Sequence, residues 1–272
     1  MNSKRMIKGS DLFIIAVFIF IYLPVFIMVL YSFNESRLSS VWGGFSLTWY
    51  ERLMNNSGLM DALKNSLILA VNTSVLAAII GTLGAYGTHL VRNAKAKKLE
   101  LTVILPMLIP EIILGMVFLA FFTMLNLPFG MVTLTLAHTA ICFPFVFMLV
   151  KARLADMDTS VLEVAYTLGA SPARAFKDIT LPYLLPAIIA GMLLSFATSM
   201  DDVIVSIFVT GVNVNTLPMK VYSQIKVGIT PEINALCTVM LIATLLLFGV
   251  AAAIILKSKK TRAMSDGVFK NI

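Results

Sequence analysis

Charged residues are scarce in this sequence. Of its 272 residues, only 13% are Asp, Glu, Lys or Arg, while 59% are hydrophobic. An ordinary soluble domain carries about 25% charged residues, because it needs them to cover its core with solvated surface. The composition therefore excludes a soluble globular protein and indicates an integral membrane protein.

Cysteine and histidine are also rare. Cys142 and Cys237 both fall within apolar runs without metal-ligand spacing, so we interpret them as buried free thiols. The two histidines, His89 at a helix end and His138 inside an apolar run, suggest no Ser-His-Asp or Cys-His set. For His138 we favour packing between helices. The sequence thus predicts neither a catalytic site nor a metal site, and not an enzyme.

A phosphate-binding loop is missing as well. No G-x-x-x-x-G-K-[ST] motif occurs, and the glycine-rich stretch that begins at Gly81 lies within a predicted membrane span. We therefore expect no cofactor in this chain, and any ATP and Mg²⁺ must be bound by another subunit. The net charge of +7 does not indicate nucleic acid, because Lys and Arg form short clusters between apolar runs.

Long apolar stretches are what the chain does have. A spanning helix takes about 20 mainly apolar residues. The first stretch follows basic residues as a signal peptide would, but it lacks a convincing A-x-A cleavage site, so we expect a retained helix. The sequence predicts an all-α membrane protein with six transmembrane helices, at residues 12–33, 61–88, 100–124, 131–152, 184–210 and 233–256.

Basic residues are distributed unevenly between the two sides of these six spans. The N-terminus, the 89–99 loop, the Lys151–Lys177 region and the tail from Lys257 carry 3, 4, 4 and 5 of them, which makes 16 of the 21. Because Lys and Arg accumulate on the cytoplasmic side, both termini are predicted to lie in the cytoplasm. The other five lie on the opposite side or at its helix ends: Arg37, Arg52, Lys64, Lys220 and Lys226.

One polar stretch, Glu163–Pro182, stands out between two apolar spans on the predicted cytoplasmic side. It predicts two short helices. Ser160 with Glu163 matches a capping box for the first helix, and Gly169 suits the left-handed position that ends it. Ser171 followed by Pro172 suits the start of the second helix.

The spacing within this stretch resembles the E-A-A, three residues, G, nine residues, I-x-L-P signature of the membrane subunits of ABC importers. Val164 departs from the second alanine, but it is also small and apolar. The resemblance implies cytoplasmic coupling helices that contact an ATPase. The matching positions are Glu163, Ala165, Gly169, Ile179, Leu181 and Pro182.

Acidic residues occur inside predicted spans, at Glu111, Asp201 and Asp202. A charged residue at the centre of a membrane helix costs about 2.5–3.5 kcal/mol, and such residues generally face a bundle interior or a watery path. Three carboxylates with few internal bases favour a cationic cargo. The structural alternative is that one Asp caps a broken helix or that one acid is held neutral.

Four further segments resemble the permeases of bacterial spermidine/putrescine ABC importers, the second permease of the two in particular. They are SFNESR from Ser32, WYERLMNN from Trp49, LSFATSMDDVIVSIFVTG ending at Gly211 and LPMKVYSQIKVGITPEINA from Leu217. The resemblance covers nearly the whole chain. It implies an N-terminal helix and external segment over residues 1–60, a MetI-like permease core over 61–258 and a cytoplasmic tail over 259–272.

The resemblance also implies partners and a path. The expected assembly contains a homologous second permease, two copies of a cytoplasmic ATPase that binds ATP and Mg²⁺, and an extracytoplasmic polyamine-binding protein, all at the bacterial inner membrane. The family's polyamine path corresponds here to Trp49, Glu111, Ser199, Asp201 and Asp202, with Glu111 in place of an expected Asp. An ABC permease for another small solute and a proton-coupled secondary transporter are the alternatives, and only the second leaves the cytoplasmic signature unexplained.

Overall fold

Helix follows helix in the computed structural model, which describes residues 9–37, 41–91, 93–212, 214–226, 231–246 and 248–249. Within these ranges the β pairing is limited to one isolated bridge between Asn34 and Phe45. The predicted all-α fold is confirmed. In chain order the helices are α1 (Gly9–Tyr31), α2 (Thr48–Asn55), α3 (Ser57–Val91), α4 (Ala94–Leu108), α5 (Glu111–Met124), α6 (Met131–Ala155), α7 (Ser160–Thr167), α8 (Pro172–Ala175), α9 (Leu181–Asp201), α10 (Ile204–Val209), α11 (Leu217–Ile225) and α12 (Pro231–Leu246).

The described residues divide into two compact units. One consists of the residues up to Met60 together with those from Ser223 onward, and the other is Asp61–Tyr222. In the first unit, α1 is strongly apolar from Leu12 to Tyr31 and has no buried residue in that range. A helix that is apolar on every face and unburied suits contact with lipid.

Asn34 organises the loop that follows α1 in the first unit. The side chain is fully buried. Its Nδ2 donates to the Val41 carbonyl at 2.8 Å, and its Oδ1 accepts the Gly43 N–H at 2.7 Å. Because a buried amide needs partners for both ends, these bonds fix the path of the chain between α1 and α2.

The core of the second unit forms where α3 and α9 pack against α6. A Cβ at Gly81 of α3 would lie 2.8 Å from the Val146 Cβ, and one at Gly191 of α9 would lie 3.0 Å from the Val146 Cα. These distances leave no room for a side chain, so both helices approach the backbone of α6 closely. Small residues permit such contact between membrane helices.

The predicted spans are corrected in two places. Residues 100–124 do not form one helix, because α4 and α5 are bent by 106° at Ile109 and Pro110. Proline lacks an N–H and disfavours a helical residue before it, and Ile109 accordingly has ψ of 132°. The predicted span 184–210 instead begins in α8 and stops at Asp201.

The number of spans is also lower than six among the residues that the structure describes. Four stretches, α1, α3, α6 and α8 with α9, are long and apolar enough to cross a membrane, and the bent pair makes up to five. The sixth predicted span, 233–256, begins as the short apolar helix α12 and ends outside the described residues. The predicted tail, 259–272, lies outside them entirely.

Candidate functional site

The break between α9 and α10 is made by Asp202. This residue leaves the helical conformation, with ψ of 123°, and its carboxylate turns onto α10. It accepts the backbone N–H of Val205 at 3.2 Å and that of Ser206 at 2.8 Å. The first turn of a helix has N–H groups without intrahelical partners, and Asp is among the best residues for capping them. The structural alternative, an Asp that caps a broken helix, therefore applies to Asp202.

His138 of α6 connects this break to the rest of the second unit. The ring is buried, with Nδ1 2.9 Å from the Ser199 hydroxyl and Nε2 3.1 Å from the Ser206 hydroxyl. Its Nε2 also lies 3.3 Å from Asp202 Oδ2. One imidazole thus joins α6 to both sides of the break, and the predicted packing role for His138 becomes a specific polar one.

The hydrogen-bond roles in this network are assigned from the partners, since each ring nitrogen can donate or accept. With a proton on Nε2 that faces Ser206 and Asp202, the Ser199 hydroxyl donates to Nδ1 and the Ser206 hydroxyl donates to Asp202 Oδ2 at 2.8 Å. The network needs no additional partner, so Ser199 and Asp202 are already occupied within the protein.

Asp201 differs from its neighbour. Its side chain is exposed and makes no hydrogen bond or ion pair with another described residue. It is the last residue of α9, where unpaired carbonyls give the helix end a partial negative charge, whereas Asp202 faces the positive end of α10. The C-terminal end of α9 therefore favours a cation bound beside Asp201. The N-terminal end of α10 stabilises the Asp202 carboxylate, which needs no bound cation.

Glu111 also stands at a helix break. It is the first residue of α5, directly after Pro110, and it is exposed without a partner among the described residues. One turn further along, α5 meets α10 so closely that a Cβ at Gly115 would lie 2.4 Å from the ring of Phe208. Glu111 therefore belongs to the helix that packs against α10, and it lies at a helix terminus rather than within one continuous helix.

Trp49 lies in the first unit. The indole is buried in α2, its Nε1 donates to the Asn34 carbonyl at 2.6 Å, and the Arg52 guanidinium lies 4.9 Å from the ring centre. These contacts anchor α2 to the loop after α1. A role for Trp49 in a cargo path stays a prediction.

The turn after α7 has the predicted geometry. Gly169 has φ of +84°, and the N–H groups of Gly169 and Ala170 donate to the carbonyls of Tyr166 and Ala165, each at 3.0 Å. This is the Schellman arrangement that closes a helix with a left-handed residue. Ser171 Oγ then accepts the Arg174 N–H at 3.4 Å, as expected for the cap of α8.

Two local predictions around this turn are wrong. Ser160 is not the cap of α7 but its first residue, and it donates its N–H to Asp158 Oδ1 at 2.9 Å. That bond lowers the pKa of Asp158, so the cap is present at neutral pH and is lost as the pH falls through the lowered value. The second short helix is not separate either, because α8 runs through a π-helical turn, Phe176–Thr180, into α9.

An exposed apolar row runs along the short helix α7 and its C-terminal turn. Val161, Val164 and Leu168 recur at intervals of three and four residues, and Leu168 is 82% exposed. Residues at this spacing share one face of a helix. Such a face on a polar connector is typical of a surface that contacts another protein.

A family model supplies the identity of this arrangement. The model for the binding-protein-dependent transport system inner membrane component matches residues 97–260, more than half of the chain. The chain belongs to this family. It is therefore an inner-membrane permease subunit of a transport system rather than an enzyme, and the predicted resemblance is confirmed.

Known proteins of this permease family resemble the chain over almost its whole length. The spermidine/putrescine transport system permease protein PotC of Escherichia coli K12 is 38% identical over 97% of this chain and 98% of its own. The putrescine transport system permease protein PotI of the same strain is 36% identical over 96% of each. A crystal structure of a bacterial ABC transporter that imports alginate matches the fold with a TM-score of 0.74 at 14% identity, covering 93% of this chain and 98% of that one.

Sequence reasoning missed two features of the permease's polar network. It did not predict the hydrogen bonds of His138, and it did not single out Ser206. A usable signal existed, because ionisable residues inside membrane spans tend to pair with one another. A lone histidine in α6 and two adjacent acids in the next long span could have been paired on that ground. Ser206 gave no such signal, since Ser is common in membrane helices as a packing residue.

Proposed function

We propose that this permease subunit carries polyamines of the spermidine and putrescine type into the cytoplasm as part of an ATP-driven importer. The observation that carries the proposal is the exposed carboxylate of Asp201, which has no partner among the described residues and lies at the C-terminal end of a broken membrane helix. Broken helices at membrane depth often present their backbone ends to ions and substrates. The names of the relatives PotC and PotI support the same cargo class.

Asp201 and Glu111 bind the amines of the cargo in this proposal. A polyamine is an extended chain with an ammonium group at each end, so it suits carboxylates that are spaced apart rather than paired. A charge-assisted hydrogen bond from each ammonium group to a carboxylate also offsets the free-energy cost of removing the ammonium from water. Ser199 and Asp202, which the resemblance places on the path, shape it through their bonds to His138 and α10 instead of contacting cargo.

The assembly follows from the cytoplasmic segment. The exposed row on α7 and the turn at Gly169 contact a cytoplasmic ATPase, two copies of which bind ATP and Mg²⁺ and drive alternating access. The positions that transmit the movement are Glu163, Ala165, Gly169, Ile179, Leu181 and Pro182. A homologous second permease completes the path, and an extracytoplasmic polyamine-binding protein delivers cargo to it.

Competition for uptake tests the cargo directly. Cells that express the complete importer should accumulate labelled spermidine or putrescine, and unlabelled polyamine should compete while neutral amino acids should not, because only a multiply charged amine pairs with both acids. Initial rates with each competitor would also separate a spermidine importer from a putrescine importer. If an unrelated solute suppresses the uptake and unlabelled polyamines do not, the cargo is of that solute's class and the proposed cargo is wrong.

The proposed orientation makes a separate prediction. Single cysteines placed at Ser171 and in the tail after Lys257 should react with a membrane-impermeant maleimide only from the cytoplasmic side. One placed at Asn55 should react from outside, because basic residues concentrate on the cytoplasmic side. Labelling in intact cells and in inverted vesicles measures both, with Cys142→Ala and Cys237→Ala as the background. External labelling at Ser171 would reverse the topology.

A further inference from the structure

The His138 ring is buried, and both of its nitrogens have hydrogen-bond partners within the protein. Its ring contacts residues on both sides of the helix break, Ser199 on α9 and Ser206 on α10, from a third helix, α6. A buried imidazole with both nitrogens engaged holds those groups in one arrangement, since any relative movement would leave a polar atom without a partner.

We propose that His138 is a positioning residue that sets which of the two adjacent acids faces the cargo. By bonding to Asp202 and Ser206, it holds Asp202 in the cap of α10 and leaves Asp201 exposed at the end of α9. The transport consequence rests on the proposed function, while the positioning of the break does not.

The geometry explains how a contact from α6 takes part in this selection. Adjacent residues on a continuous helix point about 100° apart, so a continuous helix would let both acids share the path obliquely. At the break, Asp202 turns its carboxylate onto α10 while Asp201 remains exposed, and the capping bonds of Asp202 to Val205 and Ser206 depend on its side chain staying turned toward α10. His138 supplies the contact to that carboxylate from outside the broken helix.

Distances between two spin labels across the break test the proposal. Leu194 on α9 and Ile207 on α10 are exposed, so nitroxide labels there replace no core contact. The background carries Cys142→Ala and Cys237→Ala in the complete transporter, reconstituted in proteoliposomes. Cys142 lies one turn from His138 and also contacts α9, through the Ser195 carbonyl, so a background with normal uptake controls for ordinary changes in the α6–α9 interface.

His138→Ala should broaden the label distance distribution and lower the maximal rate of polyamine uptake about tenfold or more. The reason is that Ser199, Ser206 and Asp202 lose the imidazole as a buried hydrogen-bond partner. His138→Gln retains a donor for Asp202 and should recover part of both. Asp201→Asn should reduce uptake while the distance distribution stays narrow, because Asp201 binds cargo and does not hold the break.

The outcomes separate the two proposals. An unchanged distance distribution in His138→Ala overturns the positioning role. A broadened distribution in the same variant together with normal polyamine uptake also overturns it. If the unmodified transporter carries no polyamine, the proposed function fails, and the distance measurement alone then decides on His138. If His138→Ala does not assemble, the distance distribution is measured in His138→Gln and in Asp202→Asn instead. Unchanged distances in both of these variants would overturn the proposal.

Discussion

A permease that carries both Asp201→Asn and Glu111→Gln is expected to lose nearly all polyamine uptake while it still assembles. Each substitution replaces a carboxylate by an amide of similar size, so it removes charge with little change of shape. Both side chains are exposed without a partner among the described residues, and no structural bond is lost with them. The effect should therefore fall on cargo and not on folding.

The size of the loss follows from the interaction that is removed. A hydrogen bond to a charged group contributes roughly 1.5–3 kcal/mol, and 1.4 kcal/mol corresponds to about a tenfold change in rate or affinity. Each single variant should thus lower uptake at subsaturating polyamine about tenfold or more, and the double variant about a hundredfold. Independent sites add in this way, whereas a shared ammonium would make the double variant no worse than the single ones.

Initial uptake rates in proteoliposomes measure this result, beside the ATPase rate and the amount of assembled complex. Asp61→Asn is the matched control, because Asp61 is an exposed acid in the same unit that the proposed path does not use. It should transport normally. Full uptake by the double variant would refute the path, and loss of assembly in the single variants would show that the acids are structural.

The difference between Asp201 and Asp202 marks the limit of what the sequence could predict. Residue chemistry alone indicates that an acid inside a span has a high free-energy cost in the membrane and that it favours a cationic cargo. Which acid is available does not, because it depends on contacts between distant parts of the chain. His138 reaches Ser199 and Ser206 across 61 and 68 residues, and no local pattern encodes those contacts.

Local turn chemistry was more predictable than the long spans. Gly169 and the pair Ser171 and Pro172 take the conformations that their side chains favour wherever they occur. The Ser160 prediction failed because α7 begins at Ser160 itself: Asp158 Oδ1 accepts the Ser160 N–H, and the Thr159 carbonyl accepts the N–H of Glu163, which a Ser160 cap would have bound. The bend at Pro110 could have been expected from proline chemistry, but membrane helices also tolerate proline, as α6 does at Pro144, so sequence alone did not decide.

Gly169→Asp is expected to uncouple transport from ATP hydrolysis without preventing insertion. The residue occupies a left-handed conformation, which costs an ordinary L-residue about 1–2 kcal/mol. A carboxylate there also faces the negative end of α7, which is unfavourable. A Cβ at this position meets nothing within 4 Å among the described residues, so any larger effect must arise at the surface that the turn offers to a partner.

Gly169→Asn separates charge from size, since Asn has nearly the size of Asp, tolerates the left-handed conformation as Asp does and carries no charge. We expect Asp to lower uptake at least about tenfold and to abolish the stimulation of ATPase activity by the binding protein. That fold-change corresponds to about 1.4 kcal/mol, and we expect it from the charge placed at the negative end of α7 and in the proposed contact with the ATPase. Asn should lie between Asp and Gly, because it adds bulk to the contact but neither charge nor much strain. Equal loss in both variants would assign the effect to size alone, and normal stimulated ATPase activity with normal uptake in Gly169→Asp would exclude the turn from the coupling contact.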